Sequence, residues 1–192
     1  NKIVKTFQMS IFLAMSFFIL RTLVTTTAHL ILLLFLIDFI TISLATDNVT
    51  PSRNPEKWEI RKMTKAALSI STIVLLEMFI GLFIALNLLN LGISELYTFV
   101  FYMLMVTGIT NVFVVRERRA FWRSRPSGTL LVALLTDLAI ATILCFFGIE
   151  GIFPAIPSLA IVSILLLASI MMLPKDYVKR VALRHEYGKI LE

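Results

Sequence analysis

The chain has 192 residues, of which 58% are hydrophobic and 16% charged, with a net charge of +6 and a mean hydropathy of +0.91. With the apolar residues gathered into long runs, these proportions exclude an ordinary soluble domain and point to a polytopic membrane protein. A single Cys145 excludes an intrachain disulfide, and His29 and His185, which the topology below puts on opposite sides of the membrane, exclude a shared metal site; no metal centre is expected.

A hydrocarbon core of about 30 Å takes about 20 helical residues to cross, and six runs approach that length. The first, Thr6–Val24, lacks a small-residue cleavage site and is followed by another span, so it reads as a membrane helix and not as a leader. A tight connection leads to the second, Ala28–Thr46, which carries Asp38. The polar loop that follows holds Pro51 and Pro55, each of which removes a backbone donor and restricts the residue before it. The third run, Ala66–Asn90, contains Glu77, and the fourth, Leu96–Val115, contains Thr107 and Asn111. Pro126, Ser127 and Gly128 break the chain before the fifth, Thr129–Gly148, which contains Asp137. The sixth, Phe153–Leu173, is expected to hold Pro154 and Pro157 in its first turns, where missing donors cost least, and to end at Pro174. Beyond it, Lys175–Glu192 mixes cations with Val178, Val181, Leu183, Tyr187 and Ile190, as in a short helix lying at the headgroups.

Seventeen of the eighteen Lys and Arg residues fall before the first span, between spans two and three, between four and five, or after the sixth; Arg21 is the exception. Cytoplasmic loops retain cations, so both termini are placed inside. The resulting expectation is an all-α membrane protein, a six-transmembrane-helix bundle with both termini cytoplasmic. Residues 1–173 form its transport domain, with cytoplasmic loops at 47–65 and 116–128, and residues 174–192 form a short cytoplasmic basic tail. Topology accounts for the net charge, so the lipid bilayer is the expected partner and nucleic acid is not.

The intramembrane acids Asp38, Glu77 and Asp137 carry the chemistry. An ionisable group at bilayer depth costs at least about 2.5 kcal/mol on insertion scales, so each needs a partner, a water cavity or a proton. The bland alternative is a carboxyl that only bridges helices. Thr41, one turn from Asp38, can share its environment, whereas Ser43 points nearly opposite. Other partners must come from other spans: Gln8, Ser10 or Ser16 on the first, Thr107 and Asn111 on the fourth, or Glu77. No Lys or Arg is expected within the spans proper except Arg21 near one end. A carboxyl that is neutral in one conformation and ionised in another is what a proton carrier needs. Glu77 lies a turn before Gly81, which permits close approach of another helix.

Asp47, Val49, Pro51, Ser52, Pro55 and Trp58 form the pattern D-x-V-x-P-S-x-x-P-x-x-W. It resembles the segment after the sixth membrane helix of P-type ATPases of the plasma-membrane proton-pump subfamily, which also carry an acid nine residues before the first Asp, where Asp38 stands. The resemblance implies that the six spans are membrane helices five to ten of such a pump, a C-terminal membrane half. It implies that Asp38 is the carboxylate that takes a proton from the cytoplasm and releases it outside, at the plasma membrane. It further implies an N-terminal half with helices one to four and the cytoplasmic ATPase domains, where Mg2+ and ATP act through an aspartyl phosphate. This chain has no D-K-T-G-T motif, so by itself it binds no cofactor and cannot hydrolyse ATP. Plant and fungal pumps carry an Arg within helix five, where this chain has only Lys5 and Arg21 at the span's ends. They also end in a long autoinhibitory region, and the short segment after Pro174 is more similar to a prokaryotic type. Two alternatives remain: an ATP-independent six-span channel or carrier derived from such a pump, and a non-catalytic membrane subunit. A cation other than a proton is a further one.

Overall fold

The computed structural model of the protein describes residues 2–48, 60–117 and 119–187. Among them are six α-helices: α1 Lys2–Leu20, α2 Thr27–Leu44, α3 Ile60–Phe83, α4 Ile93–Val115, α5 Gly128–Phe147 and α6 Ser158–Tyr187. Five are long and apolar enough to cross a membrane; in α1 the apolar stretch, Lys5–Leu20, is shorter. Of the loop pattern, Asp47 is described, whereas Val49, Pro51, Ser52, Pro55 and Trp58 lie outside the described residues, as do Arg118 and the tail from Gly188.

Local chemistry sets the helix limits. Thr26 caps α2, its hydroxyl accepting from the backbone N–H of His29 at 3.5 Å. A π-helical turn, Ile84–Leu88, follows α3, and the Glu95 carboxylate accepts from the N–H of Gly92 at 2.9 Å where α4 begins. Ser127 caps α5, accepting from the N–H of Leu130 at 3.2 Å. Gly148 ends α5 with φ +70°, and a Cβ there would lie 2.7 Å from the carbonyl oxygen of Phe153. The position therefore demands glycine.

The sixth helix departs from expectation at both ends. It starts at Ser158, not Phe153, so Pro154 and Pro157 lie in the connection and not in the first turns. A one-bridge loop between Ile149 and Phe153 occupies the residues before them, and the Pro157 carbonyl accepts from Ala160 at 2.9 Å to open the helix. Nor does Pro174 end it, for the helix runs through that residue to Tyr187. A proline inside a helix costs about 3 kcal/mol, and here the turn that follows offers compensation through Lys175, Asp176 and Lys179, all buried. The supposed surface tail is, in its first two turns, part of the bundle.

The helix α4 is the hub. Nearly every residue from Leu96 to Val114 is buried, while the other helices turn apolar side chains such as Phe18, Phe35 and Phe147 outward. Such a surface suits lipid and not water. The helix α6 packs on α3 and α4, α2 packs on α4 and α5, and α1 packs on α3. Asp47, Arg116, Ser127 and Lys179 meet at one end of the bundle, and His29, Phe101 and Phe153 at the other. This is the alternating arrangement that the positions of the loops predict.

Candidate ion-binding site

Between α1, α2, α3 and α4 lies a cavity of about 100 Å³ whose wall includes Asp38. From the expected partners it gathers Gln8 of α1, Thr41 of α2, and Thr107 and Asn111 of α4. Gln8, Thr107 and Asn111 are buried, and Asp38 is half-buried. Gln8, Thr107 and Asn111 stand on the inward stripes of their helices, whereas Asp38 and Thr41 flank the buried stripe of α2 and border the cavity from its side. Thr41 turns its hydroxyl to the carbonyl of Ile37 at 2.8 Å, which leaves its oxygen lone pairs as acceptors. Ser43 bonds to Phe39 and is not part of the wall, as its angular position predicts. Ser10 and Ser16 are absent from it too. Gly108, also on the wall, would bring a Cβ no closer than 3.9 Å to Ile37, so the cavity is not held open by that residue alone.

Lys5 lines the same cavity. Its place at one end of the first apolar run suggested a headgroup-facing residue, but helix α1 begins at Lys2, so Lys5 is already helical and borders the cavity. Carboxylate, ammonium, amide and hydroxyl groups therefore surround one small space. Such a set can hold a proton or a water-borne proton, since every member is a donor, an acceptor or both.

Glu77 and Asp137 are elsewhere. Glu77 is 1% exposed and its Oε2 lies 2.5 Å from Nζ of Lys175, which is wholly buried. The hydroxyl of Thr107 donates to its Oε1 at 3.1 Å. The expectation that no cation lies within the spans is thus corrected: α6 continues past Pro174 and delivers Lys175 to the interior. Sequence reasoning missed Lys175 because Pro174 looked like a helix end; the signal available was the spacing of Lys175 and Lys179, which are one turn apart and share a helix face. Asp137 is buried on α5, and its Oδ2 has no hydrogen-bond partner among the described residues. It does not line the cavity.

A second cluster closes one end of the bundle. Asp47, just past α2, accepts from Arg116 at 2.8 Å through Oδ2 and from the N–H of Ser127 at 2.8 Å through Oδ1. Arg116 in turn donates to the carbonyl and hydroxyl oxygens of Ser124. Burial alone would raise the Asp47 carboxyl, but the Ser127 N–H and the Arg116 guanidinium outweigh it and hold it below the usual carboxylate range. Close by, Lys179 donates to the carbonyls of Val114, Glu117 and Arg119 and to Asp176, capping the end of α4 from α6. Among the described residues no group of three or more His, Cys, Asp or Glu residues could hold a metal ion.

No family model matches the chain. It is 32% identical over 157 residues to a protein of Methanocaldococcus jannaschii assigned as a cation-transporting ATPase, an alignment that covers 80% of this chain and 19% of the relative. It is 28% identical over 114 residues to a plasma membrane ATPase of Kluyveromyces lactis, covering 58% of this chain and 13% of that protein. The chain therefore spans less than a fifth of the length of either relative. With its five apolar helices, it is a multi-pass membrane protein related to membrane ATPases.

Proposed function

We propose that this chain is the ion-translocating membrane part of an ATP-driven P-type ATPase that exports protons, with Asp38 as proton acceptor and donor. The observation that carries the reading is the cavity that joins Asp38 of α2 to Gln8 of α1 and to Thr107 and Asn111 of α4, polar residues from three helices around one space. Asp38 takes a proton in one conformation of the bundle and gives it up in another, while the amide and hydroxyl groups orient the water or side chain that carries it. Lys5, on the same wall, places an amine beside the space through which the proton passes. A single carboxylate on the wall suits a proton; a divalent ion such as Ca2+ takes six to eight oxygen ligands.

Phosphorylation, nucleotide binding and the Mg2+ they use are assigned to other segments of the complete protein, whose domains would contact the cation-rich loops on the cytoplasmic side of the plasma membrane. The relatives' names support an ATPase, and the name of the M. jannaschii protein a cation as its cargo. Replacing Asp38 by Asn in the complete protein is expected to abolish ATP-driven proton transport while the protein still reaches the membrane. Robust proton export by that variant would overturn the assignment.

A further inference from the structure

The Asp38 cavity has a charged neighbour that the proposed proton step does not use. At the junction of α3, α4 and α6, Glu77 faces Lys175 at 2.5 Å, and the side chains are 1% and 0% exposed. Lys175 also donates to the hydroxyl of Thr110 at 3.2 Å, which donates in turn to the carbonyl of Thr107 at 3.1 Å. Thr107 belongs to both places, lining the cavity and donating its hydroxyl to Glu77. Met78, the residue after Glu77, lines the cavity as well. The ion pair and the cavity therefore share a wall.

A buried charge is little screened, so an imbalance in this pair is felt across that wall. We propose that Glu77 and Lys175 are positioning residues for proton binding at Asp38: a balanced pair of charges that sets the electrostatic field in which the cavity takes up and releases its proton. The inference rests on the reading of Asp38 as the proton acceptor. Lys5 of α1 is the other titratable group on the cavity wall; the parts of α3 and α4 that line it present only neutral groups, and Asp137 of α5, which packs against α2, stands outside it. Intact, the pair adds no net charge. Broken, it adds a whole one.

The test measures the alkaline midpoint of ATP-driven proton transport by the complete protein. Lys175→Met leaves Glu77 negative, strengthens proton uptake and moves the midpoint up by about half to one pH unit. Glu77→Gln leaves Lys175 positive and moves it down by a similar amount. The double variant returns it close to the native value, and the charge-retaining Glu77→Asp and Lys175→Arg leave it in place. A merely structural pair would lower activity in the single variants without moving the midpoint, or move it in one direction for both, and either result overturns the inference. Where a single variant fails to assemble, the exchanged pair, Glu77→Lys with Lys175→Glu, decides: it reverses the direction of the pair's field beside the shared wall, so the midpoint is expected to move, and an unmoved midpoint overturns the proposal. Loss of transport in Asp38→Asn with unmoved midpoints in the pair variants defeats this inference alone; transport retained in Asp38→Asn defeats the reading beneath it.

Discussion

Asp38 and Glu77 are both carboxylates inside apolar helices, and the bundle treats them in opposite ways. Asp38 is half-buried on the wall of a cavity with neutral polar groups and one lysine around it. Glu77 is sealed, with an ammonium against one oxygen and a hydroxyl on the other. The contrast separates two uses of charge in a membrane. A carboxylate with a fixed, fully desolvated cation is held in one state, whereas one beside a space large enough for water can change state.

That contrast can be broken most directly at Lys175. Lys175→Met leaves a buried carboxylate without its cation and is expected to cost about 3 to 5 kcal/mol, read as a large loss of thermal stability in detergent. Glu77→Gln combined with Lys175→Met should recover most of it, because no buried charge is then left over. Next in size is the end clamp: Arg116→Ala removes charged hydrogen bonds to Asp47 and Ser124 and should cost about 1.5 to 3 kcal/mol in the same measurement. Gly148→Ala is expected to cost about 1 to 3 kcal/mol through its left-handed backbone and the Phe153 carbonyl, without effect on the cavity.

The clamp also has a pH signature with a definite sign. The Asp47 carboxyl is held below its unfolded value, so its contribution is fully present above that value, near 3.9, and is lost as pH falls through the lower native one. Acid titration of stability should therefore show a loss beginning below about pH 4 that is missing in Asp47→Asn. The smallest effect is expected at the cavity itself. Asp38→Asn keeps shape and hydrogen-bonding capacity at a half-buried position, so its stability should stay within about 1 kcal/mol of the native protein while its transport is lost. A large destabilisation there would erase the distinction between the two carboxylates.

Much of the cavity was legible in the sequence. Polar residues at membrane depth must face the interior, so Gln8, Thr107 and Asn111 could be named as neighbours of Asp38, but the same rule also named Ser10, Ser16 and Glu77, which do not line the cavity. The angular difference between Thr41 and Ser43 was likewise enough to sort them. The partner of Glu77 was not legible. It comes from 98 residues further on, past a proline that local rules treat as a stop, and only packing reveals that the helix continues. The inward placement of Lys5 was hidden for a related reason: an amine near the start of an apolar run looks headgroup-facing until the helix's rotation is known. Helix limits at Pro154 and Pro157 failed because one proline at a helix start is favourable, whereas two close together keep the chain extended until Ser158.

The burial of Lys175 and Lys179 has a practical consequence for mapping which parts of the chain water reaches. Both would be chosen from the sequence as amine reporters of an aqueous tail, yet each has its ammonium enclosed by oxygen atoms of the bundle. Reagents that modify lysine in intact membranes should pass them by, from either side, and acquire them only once the helices come apart. Their silence would then report on assembly and not on sidedness.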